Sequence, residues 1–277
     1  MIAADSEEPK KSVSVTVVIP CYNCEDTIER AVESVISQTV SVYELVLVDD
    51  ASNDSTLACL YAIKAKYDLP IKVIENPVNS GVSCSRNRGI ISSNQKYVAF
   101  LDADDSWNSE KIRTQYEFME QHNDVVICAH DVDVISSCEH SQVSEGELFS
   151  VEPQRISLGQ MLLSNRFSTP TVMMRNIGML FNESMRYCED YELWIRVLLK
   201  GGRIVKLNQV LAYLYKGRYG ESGLSSHMFR MELAELTMYL GLFNQARVRF
   251  WVPLLCVYSL AKFVKRSFIS LWAKTLN

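Results

Sequence analysis

At 277 residues, with 48% apolar and 22% charged side chains, the chain has ordinary globular composition and room for one large domain or two small ones. Its formal charge of −5 excludes a general nucleic-acid binder. That total conceals an asymmetry: no acid follows Glu235, while six cations do (Arg247, Arg249, Lys262, Lys265, Arg266 and Lys274), so −5 overall leaves −11 on the preceding residues.

Residues 1–12 begin the chain as a polar, acidic stretch without an apolar run, which predicts a disordered arm rather than a signal peptide. Ser14–Pro20 is apolar and β-branched and reads as a buried strand, followed by the loop Cys21–Tyr22–Asn23–Cys24. Glu25 and Asp26 then open a helix at its positive end, with Ile28, Ala31, Val32, Val35 and Ile36 at helical spacing. Tyr43–Val48 is a second strand and ends at Asp49–Asp50, and Asn53–Ser55 can cap the next helix. Ile71–Ile74 is a third strand. A turn-rich loop, 76–81, leads into a helix over Ser83–Ile91.

Tyr97–Leu101 is a fourth strand. It runs into Asp102, Asp104 and Asp105, three carboxylates within four residues. Such crowding repels unless a cation intervenes, and oxygen-only ligands favour Mg²⁺ or Mn²⁺. On these residues alone, a metal site and an acidic surface turn both stay open.

Further along, the patterns predict a helix over Asn108–His122, a strand over Val125–Ala129 and an irregular loop over 136–155. A short helix over Leu158–Leu163, a strand over Thr171–Arg175 and a helix over Tyr187–Lys200 ended by Gly201–Gly202 come next. Two strands follow, Ile204–Leu207 and Val210–Tyr215. Strands alternating with helices predict a Rossmann-like, mostly parallel α/β sheet. Ligands in such sheets bind beyond the carboxyl ends of the strands, where Pro20–Asn23, Asp49–Asp54 and Asp102–Asp105 all fall.

Of eight cysteines, Cys21 and Cys24 form one C-x-x-C. No second pair or histidine cluster completes a zinc site, so reduced thiols in a cytoplasmic protein are expected. The tail is apolar over Phe250–Ala261, too short to span a bilayer, and Lys262, Lys265 and Arg266 share a helical face. Two expectations stay open for 247–273: a helix lying on an anionic membrane, or a helical pair docked on the body.

Five stretches together resemble the family 2 glycosyltransferases, nucleotide-sugar enzymes of the GT-A fold. They are Val17–Asn23, Leu47–Thr56, Asn79–Gly89, Phe100–Asp105 and Glu189–Trp194, and the resemblance spans roughly residues 13–218. Cys84 departs from it, standing where the family usually has a small residue, and the match fades after Tyr215.

The resemblance implies a GT-A domain over 13–226, with a nucleotide-sugar half to residue 106 and an acceptor half from 107; the tail's own pattern predicts a helical extension over 227–277. It implies an inverting transfer of a sugar from a nucleotide-diphosphate donor, UDP first, to a hydroxyl of a glycan or lipid-linked glycan. Pro20, Tyr22, Asn23 and Asp50 would surround the nucleotide, with the Tyr22 ring stacking on the base. Asp102, Asp104 and Asp105 would hold ribose and a divalent metal, Mn²⁺ or Mg²⁺, with Asp104 its most direct ligand. Arg86 would reach the diphosphate or the acidic cluster, and Glu189 would contact substrate. Asp190 would be the general base. On residues alone, Asp49 and Asp50 equally suit turn capping, Glu189 and Asp190 the first turn of a helix, and Arg88 a solvated surface. Ser168–Thr171 resembles an acceptor-side segment, and Lys216, Arg218 and His227 border a loop able to close over phosphate.

A polyprenyl-phosphate glycosyl synthase is the nearest alternative. A sugar-nucleotide pyrophosphorylase or a dinucleotide oxidoreductase would need a glycine-rich loop after the first strand, and Pro20–Asn23 is not one.

Overall fold

The computed structural model describes residues 10–135, 152–215 and 228–275, with side chains to 268. Its first half follows from four apolar runs. The strands β1 (Ser12–Cys21), β2 (Ser41–Asp49), β3 (Ile71–Glu75) and β4 (Tyr97–Phe100) are parallel, in the order β3-β2-β1-β4. Val15 through Ile19 are buried on both faces of the sheet, which is why β1 reads as a continuous apolar run.

The helices α1 (Ile28–Ile36) and α2 (Thr56–Lys66) pack with Val17 and Ile19 on one face. On the other face, α3 (Val82–Ser92) packs with Val18 and Val46. The approach of α3 is close. A Cβ on Gly89 would lie 2.3 Å from Val18 Cγ1, so only glycine lets helix and strand meet at this separation.

The second half extends the sheet through β8 (Met173–Arg175), which pairs antiparallel with both β4 and β6 (Val125–Ile135). β9 (Arg203–Tyr215) runs parallel to β6, and β5 (Ser106–Trp107) and β7 (Gln154–Ile156) pair antiparallel with β9. The helices α4 (Lys111–Gln121), α5 (Leu158–Leu163) and α6 (Glu189–Leu199) flank this part. The helices α7 (Met228–Gly241) and α8 (Val252–Thr275) follow as a C-terminal pair. The architecture is the mostly parallel sheet flanked by helices that the sequence predicts, made mixed by the antiparallel pairings of β5, β7 and β8.

Several boundaries differ from expectation. The two strands expected over 204–215 are one, because Ala129 pairs with Lys206 and Asp131 with Val210, so the intervening residues bulge without ending the ladder. Thr169–Thr171 is a 3₁₀ turn rather than a strand start, nucleated by Pro170. β7 begins inside the stretch expected to be irregular, at Gln154, and ends one residue beyond it. The expectations for residues 1–9, for 136–151 and for Lys216, Arg218 and His227 lie outside the described residues.

The tail docks on the body. Met238, Tyr239, Leu242, Val248, Val252 and Leu255 join the core around Trp194, and Tyr239 Oη donates to Leu162 O at 2.8 Å.

Candidate active site

The sheet order reverses between β1 and β4: successive strands step from β1 through β2 to β3, and the next strand returns to the other side of β1. Loops leaving two neighbouring strands in opposite directions open a crevice at their carboxyl ends. A cleft of about 870 Å³ lies here, walled by Pro20–Asn23 after β1, Asp50 after β2, Asp102–Asp104 after β4, and Gly81 and Arg86 from α3. Glu183–Arg186 and Glu189 close it from the second half.

Asp50 is buried and anchors the start of α3. Its Oδ1 accepts from Asn76 Nδ2 at 2.6 Å and from Ser80 N at 2.8 Å, and its Oδ2 accepts from Gly81 N at 2.8 Å. Gly81 has φ +87°, where a side chain is strained, so this carboxylate holds the turn that aims α3 at the cleft. Asn23, itself at φ +48°, accepts from Asn53 N at 2.9 Å and pins the loop after β2. Tyr22 stands on the cleft wall, 47% exposed. Asp49 turns away from the cleft and accepts from Ser52 N at 3.2 Å, which is the turn-capping alternative read from its residue type.

The Ser85–Gly89 segment explains itself residue by residue. Ser85 accepts from Asn76 Nδ2 at 3.0 Å. Asn87 clips the loop before α6 by accepting from Phe181 N at 2.8 Å and donating to Glu183 at 2.8 Å. Arg88 donates to the Glu75 carbonyl at 2.7 Å, so it braces β3 rather than standing solvated on the helix surface.

Arg86 is the pivot. It is buried, and its two terminal nitrogens part: Nη2 donates to Asp102 Oδ1 at 2.8 Å, and Nη1 to Glu189 Oε1 at 3.0 Å. One guanidinium fork therefore ties the acid at the end of β4 to the acid that opens α6.

The three neighbouring aspartates separate. Asp102 and Asp104 line the cleft. Asp105 is buried and accepts from the Tyr215 backbone N–H at 3.3 Å, which ties it to the end of β9 and away from the cleft lining. Of the three carboxylates offered for the ion, Asp105 is thus set apart from the cleft: β5 begins at the next residue, Ser106, and its pairing with β9 turns the chain away. Among the described residues no cluster of three or more His, Cys, Asp or Glu is gathered for a metal. Asp102 and Asp104 still fit a hard cation, because Mg²⁺ and Mn²⁺ sites take one or two carboxylates and complete their shell with substrate phosphate and water.

Glu189 and Asp190 begin α6 after Cys188, which sits at φ +58°. A non-glycine residue held there is strained, and this one sets the direction of the two acids. Asp190 is half-buried. Its Oδ2 accepts from Asn165 Nδ2 at 3.1 Å and Thr169 Oγ1 at 3.3 Å, and its Oδ1 accepts from Tyr191 N at 2.7 Å. Burial raises the Asp190 carboxyl above the usual aspartate range, opposed by the Arg86 charge and these donors. Glu189 is likewise raised by burial, with Arg86 pulling it down and Asp190 pushing it up. Only Glu189 of the pair lines the cleft as described, with Asp190 one residue on, toward the Asn165–Thr169 segment.

Trp107 is a core residue that donates to Pro170 O at 2.8 Å. Asn165, Glu183 and Arg186 escaped the sequence reading. They sit in loops of no regular period, and only their spacing before Glu189–Asp190 marks them.

Comparison with known proteins agrees with this geometry. Residues 16–176 match the profile of the Glycosyl transferase family 2. The UDP-Glc:α-D-GlcNAc-diphosphoundecaprenol β-1,3-glucosyltransferase WfaP of Escherichia coli is 36% identical over 201 residues, covering 72% of this chain and 76% of that protein. Among solved structures, TarS 1–349 of S. aureus in complex with UDP-GlcNAc superposes with a TM-score of 0.68 at 20% identity, covering 92% of this chain and 72% of that one. The mannosyltransferase PcManGT from Pyrobaculum calidifontis, in complex with GDP-Man and Mn²⁺, superposes with a TM-score of 0.66 at 14% identity, covering 97% and 81%. The chain belongs to the Glycosyl transferase family 2, and its sheet is that of the GT-A glycosyltransferases.

Proposed function

We propose that this glycosyltransferase is inverting and moves a sugar from a UDP-sugar to a hydroxyl of a lipid-linked glycan in polysaccharide synthesis. The observation that carries the reading is the Arg86 fork, which joins Asp102 on the donor side to Glu189 on the acceptor side at 2.8 and 3.0 Å. The donor half is 13–106, the acceptor half 107–226 and the extension 227–277. The donor and acceptor classes rest on the name of the Escherichia coli relative, which specifies UDP-glucose and a diphosphoundecaprenol-linked sugar.

Tyr22 stacks on the uracil, with Pro20 and Asn23 shaping that wall and Asp50 accepting from base or ribose through its remaining lone pairs. Asp102 and Asp104 would hold a divalent metal, which when bound neutralises charge on the leaving diphosphate. Asp190 Oδ2 takes the proton of the acceptor hydroxyl. That oxygen attacks the anomeric carbon from the face opposite the phosphate, the carbon–oxygen bond to the diphosphate breaks, and the nucleoside diphosphate leaves with inversion. A phosphate acceptor is already an anion and needs no base, so the donors trained on Asp190 favour a hydroxyl acceptor. We place the protein in the cytoplasm, because the seven described cysteines are all unpaired, as a reducing compartment keeps them.

The test is nucleotide release from UDP-, GDP- and TDP-sugars with a prenyl-diphosphate-linked N-acetylglucosamine acceptor, with and without Mn²⁺. UDP-sugars should turn over, and only with metal. Turnover of GDP-sugars alone would replace the donor assignment, and turnover indifferent to chelator would remove the metal.

A further inference from the structure

The sequence left two uses open for the tail, and its helices present two different faces. One face is docked on the body, as described. On the other face of α8, Leu254, Val257, Ala261, Val264 and Phe268 recur at three- and four-residue spacing and are all exposed. Phe250 and Trp251 extend this row from the preceding turn, exposed to 76% and 61%. The row from Leu254 to Phe268 is about 21 Å long at a helical rise of 1.5 Å per residue. A contiguous apolar row of this kind, bordered by polar residues, is the type of surface that marks an interaction site.

Within 228–268 the exposed charges are of one sign. The only acids between 228 and 268 are Glu232 and Glu235, and both are buried. Glu232 accepts from Ser259 Oγ at 2.8 Å, and Glu235 pairs with Lys262 at 2.6 Å and with Arg266 at 3.9 Å. This corrects the sequence expectation that Lys262, Lys265 and Arg266 act together on one face: two of the three are engaged by Glu235. Arg230, Arg247, Arg249 and Lys265 remain exposed, and no exposed acid accompanies them among residues 228–268. A second copy laid on this face about a twofold axis would set these cations against themselves.

We propose that the outer face of α8 and the turn before it is a docking surface for an anionic lipid bilayer. The apolar row enters the headgroup boundary, Trp251 and Tyr258 sit at its edge, and Arg247, Arg249 and Lys265 meet lipid phosphate. The helix lies on the membrane and does not cross it: among the described residues no helix is long and apolar enough to span one. The inference is independent of the donor and acceptor assignments, because its test reads binding and not turnover.

The full chain would be floated with vesicles of equal parts phosphatidylcholine and phosphatidylglycerol, and with phosphatidylcholine alone. It should float with the mixed vesicles, weakly with the neutral ones, and less as salt rises. Leu254→Glu and Val257→Glu should each lower partitioning at least about tenfold by placing a charge in the apolar row. Arg249→Gln should lower it about fivefold, since one surface cation contributes about 1 kcal/mol to an anionic bilayer. All three positions are solvent-facing, so thermal melting should stay as in the parent and report an intact fold. Absence of flotation by the parent, or flotation unchanged in both glutamate variants, would overturn the proposal. So would a parent that elutes as a dimer which Leu254→Glu splits, since the face would then be an interface between copies.

Discussion

Arg86 Nη1 stands 3.0 Å from Glu189 Oε1, and this ion pair joins two halves of the chain whose partners are 103 residues apart. Both side chains are buried, so the pair is not a surface contact screened to little value. Removing one partner strands an uncompensated charge. Arg86→Met should destabilise the fold by about 3 kcal/mol, and Arg86→Lys by somewhat less, because an ammonium cannot reach both acids as the fork does. Urea unfolding of the two variants checks this, and wild-type stability in Arg86→Met would show that the bridge contributes nothing.

Asp190→Asn should lower turnover by roughly 10²–10⁴-fold, the usual contribution of a positioned base. Affinity for the UDP-sugar should stay within about twofold, since Asp190 is not among the residues, Tyr22, Asp50 and Asp102 included, that line the cleft proposed for the donor. Steady-state kinetics beside calorimetric donor titration separates the two effects. Full turnover in the variant would end the assignment.

The pH profile carries a sign. A base works deprotonated, and burial raises the Asp190 carboxyl above the usual aspartate range. The acid limb of kcat should therefore lie above that range, with activity lost as pH falls through it. Asn165 and Thr169 donate to the charged form and hold this pKa down. Thr169→Val and Asn165→Ala should each move the acid limb to higher pH. A movement to lower pH would mean that those donors do not serve Asp190.

Asp104 and Asp105 are neighbours with opposite expected phenotypes. Asp104→Ala should raise the Mn²⁺ concentration for half activity about tenfold or more and cost less stability than a change at the buried Asp105, because its own side chain is exposed. Asp105→Ala should leave the metal dependence unchanged and cost about 1–3 kcal/mol, because it deprives the Tyr215 N–H of its acceptor. Metal titration and thermal melting of the two variants, side by side, decide between this split and the reverse.

Gly89→Ala adds a methyl 2.3 Å from Val18 Cγ1 and should destabilise by about 1–3 kcal/mol. Val18→Ala in the same chain should return part of that loss, since it vacates the overlapping volume. Strict additivity of the two changes would place the strain elsewhere.

The strands, their order of alternation and the loops at their carboxyl ends were legible because apolar run length and breaker residues act locally. Pro20–Asn23, Asp50, Asp102 and Asp104 could be assigned to one cleft on that basis alone, since parallel strands send their carboxyl ends to the same edge. The boundary errors at Thr169–Thr171 and at the join within β9 arose where a proline or a bulge, rather than periodicity, set the chain path.

What each side chain touches was decided by the tertiary structure. Nothing local distinguishes Asp105 from Asp104, yet pairing of β5 with β9 ties one to Tyr215 while the other lines the cleft. Arg86 and Arg88 are both helix arginines by sequence, and only the packing of α3 on β1 sends the first to Asp102 and Glu189 and the second to Glu75. In the tail, composition alone specified an apolar, basic helix. Which cations face outward depended on Glu235, 27 residues before Lys262, because an ion pair forms wherever folding brings charges together and sequence distance does not record that.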